Sequence, residues 1–345
     1  SCDETAASVV REKSDGTGEI LSNIVSSQIK EHKEFGGVVP ELAARAHVEK
    51  IEFIIKKALE ESNLHLNNIN GISATAGPGL IVCLTVGLNA GKAIAGSLGK
   101  PFVAVNHLEG HALSPKINSN IKFPYLLLLI SGGHTQFLEV IGVNNYKRLG
   151  TTIDDALGEA FDKTAKILGI EFPGGPKIEE WAKKGDENYF KLPKPIFKKG
   201  GCNLSFAGLK TAVLRTSKEL KNQKEKYHLA ASFQKTINEI LYEKTKVAME
   251  EFLKNKKNIQ KTFVIAGGVA SNLRIRENLA KLAKEKNFTS VFPPKNLCSD
   301  NAAMIAWAGI ERYKINLVNN LDFPSKARWP LDASAPFLKG PGLKL

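Results

Sequence analysis

At 345 residues the chain is long for one hydrophobic core, and its apolar and charged fractions, 43% and 24%, are those of an ordinary globular protein, so two lobes are expected. The formal net charge of +13 asks for a polyanion, with RNA, DNA and an anionic membrane all open, unless it only decorates solvated helices. Four scattered cysteines (Cys2, Cys83, Cys202, Cys298) without a CxxC pair exclude a disulfide framework and a Cys-based zinc site, which fits a reducing compartment.

The chain opens on the acidic turn Ser1-Cys2-Asp3-Glu4-Thr5, which leads into a strand at Ala6–Val10. A strand is expected ahead of such a turn, so the reading here is of an N-terminally incomplete chain. Glu19–Ser27 reads as a second strand. After Gly36-Gly37-Val38-Val39-Pro40-Glu41, Pro40 suits the first turn of a helix running to about Ser62, with Glu41 and Arg45 supporting each other one turn apart. Ile69–Ala74 is a short strand, followed by a helix from about Val82 to Leu98. Gly91-Lys92 is no P-loop, because Val86 and Ala93 stand where that motif needs Gly and Ser or Thr.

The strand Phe102–Val105 runs into Asn106-His107-Leu108-Glu109-Gly110-His111. Two histidines four apart stand about 40° from each other around a helix, so they share a face and can offer two nitrogens to one divalent metal. Two unrelated surface histidines are the plain alternative. A zincin would carry Glu directly after the first His, where this chain has Leu108, so a metalloprotease is set aside.

A second unit begins near Tyr125. The apolar strand Tyr125–Ile130 breaks at Ser131-Gly132-Gly133-His134-Thr135 and resumes at Gln136–Ile141; such a turn lets peptide N–H groups approach an anion. An acidic-started helix follows at Asp154–Lys163, then the turn Phe172-Pro173-Gly174-Gly175-Pro176. Residues 177–227 hold thirteen Lys and Arg against six Asp and Glu, a net of +7. Long helical patterns cover about Tyr227–Asn255. Thr262–Val269 is a strand with a Gly-Gly turn, and Ala270-Ser271-Asn272 opens a helix, an arrangement suited to a nucleoside or phosphate. Asp300, in Cys298-Ser299-Asp300-Asn301, lies near a helix start as a cap or a ligand. The longest apolar run, Pro124–Ile130, is too short to span a bilayer, no secretory signal opens the chain, and the tail from Arg328 is expected to wrap the surface.

In this order and spacing, the acidic turn, Gly36–Glu41, Asn106–His111, Ser131–Thr135, Phe172–Pro176, Ala266–Asn272 and Ser299–Asn301 closely resemble the bacterial type of the TsaD family of tRNA N6-adenosine threonylcarbamoyltransferases, once labelled sialoglycoprotein endopeptidases. The resemblance implies an α/β, two-lobed actin/Hsp70/sugar-kinase-like (ASKHA) fold with the active site in the interlobe cleft. The lobes would be 1–121 plus about 297–345, and 122–296 with a basic helical insertion near 177–227. It implies that His107, His111 and Asp300 hold one divalent metal per subunit, iron(II) first and zinc or magnesium as alternatives. Ile130, Ser131, Gly132, Gly133 and His134 would line the adenylate phosphate, and Asp162, Gly175, Glu179 and Asn272 the ribose and adenine. The implied substrates are threonylcarbamoyl-AMP and tRNA. The implied partners are a metal-less TsaB-like paralogue and a small TsaE-like P-loop ATPase, in the cytoplasm, with no membrane.

That reaction has a good leaving group, AMP, so it asks for positioning and charge stabilisation more than for a nucleophilic side chain. Accordingly no catalytic residue is assigned beyond the metal site, although Asp3 or Glu4 is a candidate base. Lys198 and Lys199 are expected to grip tRNA. A sugar kinase or ATPase on the same fold would have no role for the paired histidines. A non-catalytic paralogue would lack the ligands that this chain keeps.

Overall fold

The computed structural model describes residues 1–35, 37–197 and 200–336. Gly36, the tail from 337, and the two lysines expected to grip tRNA, Lys198 and Lys199, lie outside the described residues. The chain forms two compact units. One comprises Ser1–Ile121, Gly142–Asn145 and Asp300–Ala333; the other comprises Lys122–Ile141, Tyr146–Ser299 and the described residues from Ser334.

In the first unit β1 (Glu4–Glu12) and β2 (Gly18–Ser27) pair antiparallel with a bulge at Val9/Val10. After the short α1 (Ile29–His32) comes α2 (Pro40–Ser62), which has Pro40 in its first turn and ends at Asn63 in the left-handed region, φ 54°. Glu41 and Arg45 bridge at 2.7 Å on its exposed face. Next come β3 (Ile72–Gly77), α3 (Ile81–Leu98), the parallel strand β4 (Phe102–Asn106) and α4 (His107–Leu113); α11 (Ala302–Lys314) returns from the far end of the sequence.

All five residues of β4 are buried, so no polar alternation was available to mark its faces. Gly91 lies inside α3, where an added Cβ would stand 3.0 Å from the Ala74 Cβ; its smallness serves helix–strand packing and not a phosphate loop. By length and composition alone α3 could reach across a bilayer, at mean hydropathy 1.5 over 18 residues. Here its Cys83, Leu84, Leu88, Gly91 and Ala95 face inward, and the helix packs on β3 and α2.

The second unit is built on a mixed sheet in the order β7-β6-β5-β8-β9. Its strands are β5 (Tyr125–Ile130), β6 (Thr135–Gly142), β7 (Asn145–Thr151), β8 (Thr262–Ala266) and β9 (Thr289–Val291). β5 runs antiparallel to β6 and parallel to β8, with Leu129 opposite Ala266. Strand β7, largely polar, escaped the sequence reading. The helices are α5 (Leu157–Leu168), α6 (Gly174–Ala182), α7 (Ala207–Ser217), α8 (Gln223–Leu253), α9 (Leu273–Glu285) and α10 (Lys295–Cys298). Leu128, Ile130, Phe161, Phe233, Phe263 and Ile265 belong to one buried cluster. Each such side chain contributes about 1.5–3 kcal/mol on burial.

Two expectations need correction here. Asp154 and Asp155 do not start a helix. Asp154 accepts the N–H groups of Phe206 (2.7 Å) and Ala207 (3.3 Å) and the Ser205 hydroxyl, so it fixes the entry of α7 while α5 begins at Leu157. The basic stretch is helical only at α6, α7 and the first turns of α8; the described residues between 183 and 206 form turns and extended chain.

Candidate functional site

Asn106 ends β4 and caps α4, its side-chain oxygen accepting the Leu108 N–H at 2.9 Å while its amide donates to Trp329 O. The helix therefore begins at His107, which brings both histidine rings to one side with centroids 4.9 Å apart. Asn301, and not Asp300, caps α11 by accepting the Met304 N–H at 3.0 Å. That leaves the Asp300 carboxylate to point elsewhere. Its Oδ1 stands 3.3 Å from His107 Nε2 and 3.1 Å from His111 Nε2.

This spacing suits a shared cation. Two ligands each about 2.1 Å from one ion stand roughly 3.0–3.4 Å apart in octahedral or tetrahedral geometry. Ser1 Oγ lies 3.1 Å from His107 Nδ1, so an Nδ1–H donated to Ser1 would leave the Nε2 lone pair facing Asp300. His111 is fully buried and its Nδ1 has no hydrogen-bond partner among the described residues. Burial holds the His107 pKa below its ordinary value against the pull of Asp300. Burial alone would raise Asp300, but the neighbouring imidazoles, His107 foremost, hold its carboxyl well below the usual range. Two imidazoles and an ionised carboxylate form a donor set that fits a divalent metal.

The acidic turn lies beside this cluster. His47, buried, donates from Nε2 to Cys2 O (3.1 Å) and accepts at Nδ1 from the Thr5 hydroxyl (2.7 Å), so α2 holds the turn in place. The sequence reading gave neither Ser1 nor His47 a role of its own; a histidine two residues beyond Arg45 carries no signal of what it meets. Burial first, then the charges of Asp300 and Asp3, pushes the Glu4 carboxyl up to about 9. In the field of the protein's own charges Glu4 holds its proton at pH 7, which weakens it as a general base. A cavity of about 1000 Å³ opens from Ser1, Glu4, His107 and Asp300 and runs between β1 and β3.

In the second unit the glycine turns after β5 and β8 stand side by side at the carboxyl ends of two parallel strands, the usual place for a ligand in an α/β sheet. Gly267 sits at φ 97°, where an added Cβ would be 2.4 Å from Ile130 O; only glycine allows that approach. Ser131 pairs with His134 through backbone and hydroxyl, and leaves Gly132 and Gly133 exposed at the tip. Gly158, at the start of α5, packs under that tip, 2.7 Å from Gly132 Cα and Ser131 O when measured from an added Cβ.

The other expected ligand-binding residues form a connected set whose polar atoms already have work in the fold. Asp162 Oδ1 accepts the Gly174 N–H at 2.8 Å, and Gly175 also donates to that carboxylate; burial still raises its pKa against both. Glu179 accepts the Leu273 N–H at 3.0 Å. Asn272 caps α9 through the Ile275 N–H and donates to Gln234 Oε1. All nine residues expected to bind the adenylate thus fall in this unit, and the three expected to bind metal in the other.

Part of the basic charge is neutralised internally: Lys177 and Lys184 flank Glu180, Lys194 meets Glu239, and Lys210 meets Asp155. Lys218 and Lys221, between α7 and α8, and Lys224, in the first turn of α8, are exposed.

Comparison with known proteins bears on these arrangements. Residues 19–307 match TsaD, described as tRNA N6-adenosine threonylcarbamoyltransferase. A protein of that name from Pelagibacter ubique is 67% identical over 345 residues, covering 100% of this chain and 97% of its own. Another, from Chelativorans sp., is 52% identical over 347 residues, covering 99% and 96%. Among solved structures, HypF from T. kodakarensis superposes with a TM-score of 0.57 at 14% identity, over 78% of this chain and 43% of that one. Component A of (R)-2-hydroxyglutaryl-CoA dehydratase from Acidaminococcus fermentans gives 0.50 at 16% identity, over 90% and 95%. These structural likenesses carry the fold alone, which is of the ASKHA type.

Proposed function

The chain belongs to the TsaD family of tRNA N6-adenosine threonylcarbamoyltransferases, and we propose on that footing that it moves a threonylcarbamoyl group from its mixed anhydride with AMP to N6 of adenosine 37 in tRNAs reading ANN codons. The observation that carries this reading furthest is the approach of both His107 and His111 to within 3.3 Å of Asp300 in a chain that matches the family along most of its length. In the transfer the N6 lone pair attacks the carbamoyl carbon, the bond from that carbon to the phosphate oxygen breaks, AMP leaves with the electron pair, and N6 loses a proton.

The protein's own residues have positioning work in this step. The exposed turn at Gly132 and Gly133 offers peptide N–H groups to the adenylate phosphate, with Ile130, Ser131 and His134 shaping its base. Asp162, Gly175, Glu179 and Asn272 set the walls for ribose and adenine. His107, His111 and Asp300 would hold one divalent cation, iron(II) by donor type and zinc or magnesium otherwise. When bound, that ion supplies Lewis-acid and template chemistry at a carbonyl or phosphate oxygen. Glu4, protonated on its own, is a weak candidate base.

The basic surface around Lys218, Lys221 and Lys224 suits the tRNA backbone, and the unstacked bases of an anticodon loop are what proteins commonly read in RNA. The reading places the enzyme in the cytoplasm with a metal-less paralogue and a small P-loop ATPase as partners. Exposed Val48 and Phe53 on α2, and Ile81 and Val82 on α3, support a helical partner surface.

The decisive assay supplies the protein and its partners with synthetic threonylcarbamoyl-adenylate and unmodified ANN-reading tRNA, then digests the tRNA to nucleosides. Threonylcarbamoyladenosine is the expected product; none above background would sink the proposal.

A further inference from the structure

Glu109 lies between the two histidines in sequence, yet about 200° from each around the helix, so it faces away from them. Its carboxylate is 1% exposed. One oxygen accepts from Arg312 Nη1 at 2.6 Å and the other from the Asn144 N–H at 2.8 Å, while Arg312 Nη1 also donates to Asn144 Oδ1 at 3.3 Å. Arg312, itself 6% exposed, belongs to α11, the helix entered through Asp300. The same two helices also touch at Gly110, where an added Cβ would stand 2.9 Å from Ile305 Cδ1 and 3.2 Å from Met304 Cγ.

The helix bearing the histidines and the helix entered through Asp300 are therefore fastened twice, by close packing at Gly110 and by a buried ion pair beside it. A buried pair gives little net stability compared with apolar residues of the same shape, because desolvation offsets the attraction. What it does impose is register: only one advance of α4 along α11 satisfies both charges.

We propose that Glu109 and Arg312 are positioning residues, whose ion pair sets the advance of α4 along α11 and thereby holds His107 and His111 at ligand distance from Asp300. The carboxylate is committed to Arg312 and Asn144, so it serves neither as a further ligand nor as a base. The proposal rests on the reading that the three residues bind a divalent metal.

Cobalt(II) is the probe, since its visible spectrum reports ligand number and geometry. The variants are Glu109→Gln, Arg312→Lys and the shape-keeping apolar double Glu109→Leu/Arg312→Met, with His107→Ala/His111→Ala as the control. Metal-free thermal unfolding of the apolar double should stay cooperative and near the parent midpoint, while its cobalt affinity falls at least tenfold and its spectrum changes. Arg312→Lys, which keeps the charge, should recover part of the affinity. Parental affinity and spectrum in the apolar double would overturn the positioning role. So would failure of both Glu109→Gln and the apolar double to fold without metal, since the pair would then serve the fold itself. If the parent binds no cobalt, or the histidine control still binds it, the metal reading fails instead.

Discussion

His111 Nε2 lies 3.1 Å from Asp300 Oδ1 across a sequence separation of 189 residues. A histidine one turn into α4 and the residue just before the cap of α11 meet because both elements pack in the same unit. Replacing His111 with Ala should abolish metal retention, because loss of even an outer-shell partner costs about 10–100-fold in affinity and a ligand costs more. Metal content after gel filtration measures this. Retention equal to the parent would exclude His111 as a ligand.

Metal removal should lower the unfolding midpoint without unfolding the protein. At a free concentration near a hundred times Kd, a ligand that binds only the folded state adds about 2.7 kcal/mol. Thermal unfolding with and without a chelator checks this, and the shift should vanish in His111→Ala. A chelator effect that persists in that variant would mean the cation stabilises the protein elsewhere.

Gly158→Ala should damage adenylate binding while sparing the metal. Its Cβ would press on Gly132 Cα and Ser131 O at 2.7 Å, both backbone atoms, so the tip of the turn must shift. Calorimetric titration with AMP should show affinity reduced at least about tenfold, which corresponds to 1.4 kcal/mol. Unchanged AMP binding would detach the Ser131–His134 turn from the adenylate.

Asp155 gives a pH signature. Burial works against its charge, but Lys210 at 2.6 Å and Lys163 at 3.2 Å more than offset that and hold its pKa below the ordinary value. A depressed carboxylate contributes stability above its unfolded pKa of about 3.9, and that stability is lost as pH falls through the lower folded value. Asp155→Asn should thus destabilise the protein by about 1 kcal/mol at pH 7, and the difference should shrink as the pH drops below about 4. Urea unfolding at several pH values tests it; a pH-independent difference would point to packing instead of charge.

Charge reversal at Lys218, Lys221 and Lys224 should weaken tRNA binding and flatten its salt dependence, by about 0.7 in slope for each phosphate that is no longer neutralised. The same outcome is expected for Lys198 and Lys199. AMP affinity should stay unchanged in each case. Binding isotherms at three salt concentrations that match the parent would remove this surface from the RNA interface.

Much of the molecule was legible because local chemistry writes it directly. Pro40 in the first turn of α2, the glycine turn after β5 and the Gly-Gly turn after β8 each follow from backbone rules that act within a few residues. The His-x-x-x-His spacing by itself placed two imidazoles on one face, and the ordered set of motifs pointed to the family. Strand β7 was lost because its polar residues do not alternate. The aspartates before α5 misled because an acidic start suits a helix, and only the tertiary structure showed that Asp154 caps a different helix 52 residues later. Sequence alone left Asp300 open between a cap and a ligand. The fold removes the cap: Asn301 takes the capping N–H, and the neighbouring carboxylate lies against the histidines. The partner of Glu109 was likewise beyond reach of the sequence. A buried charge must find its opposite wherever packing brings one, and packing brought Arg312 from 203 residues away.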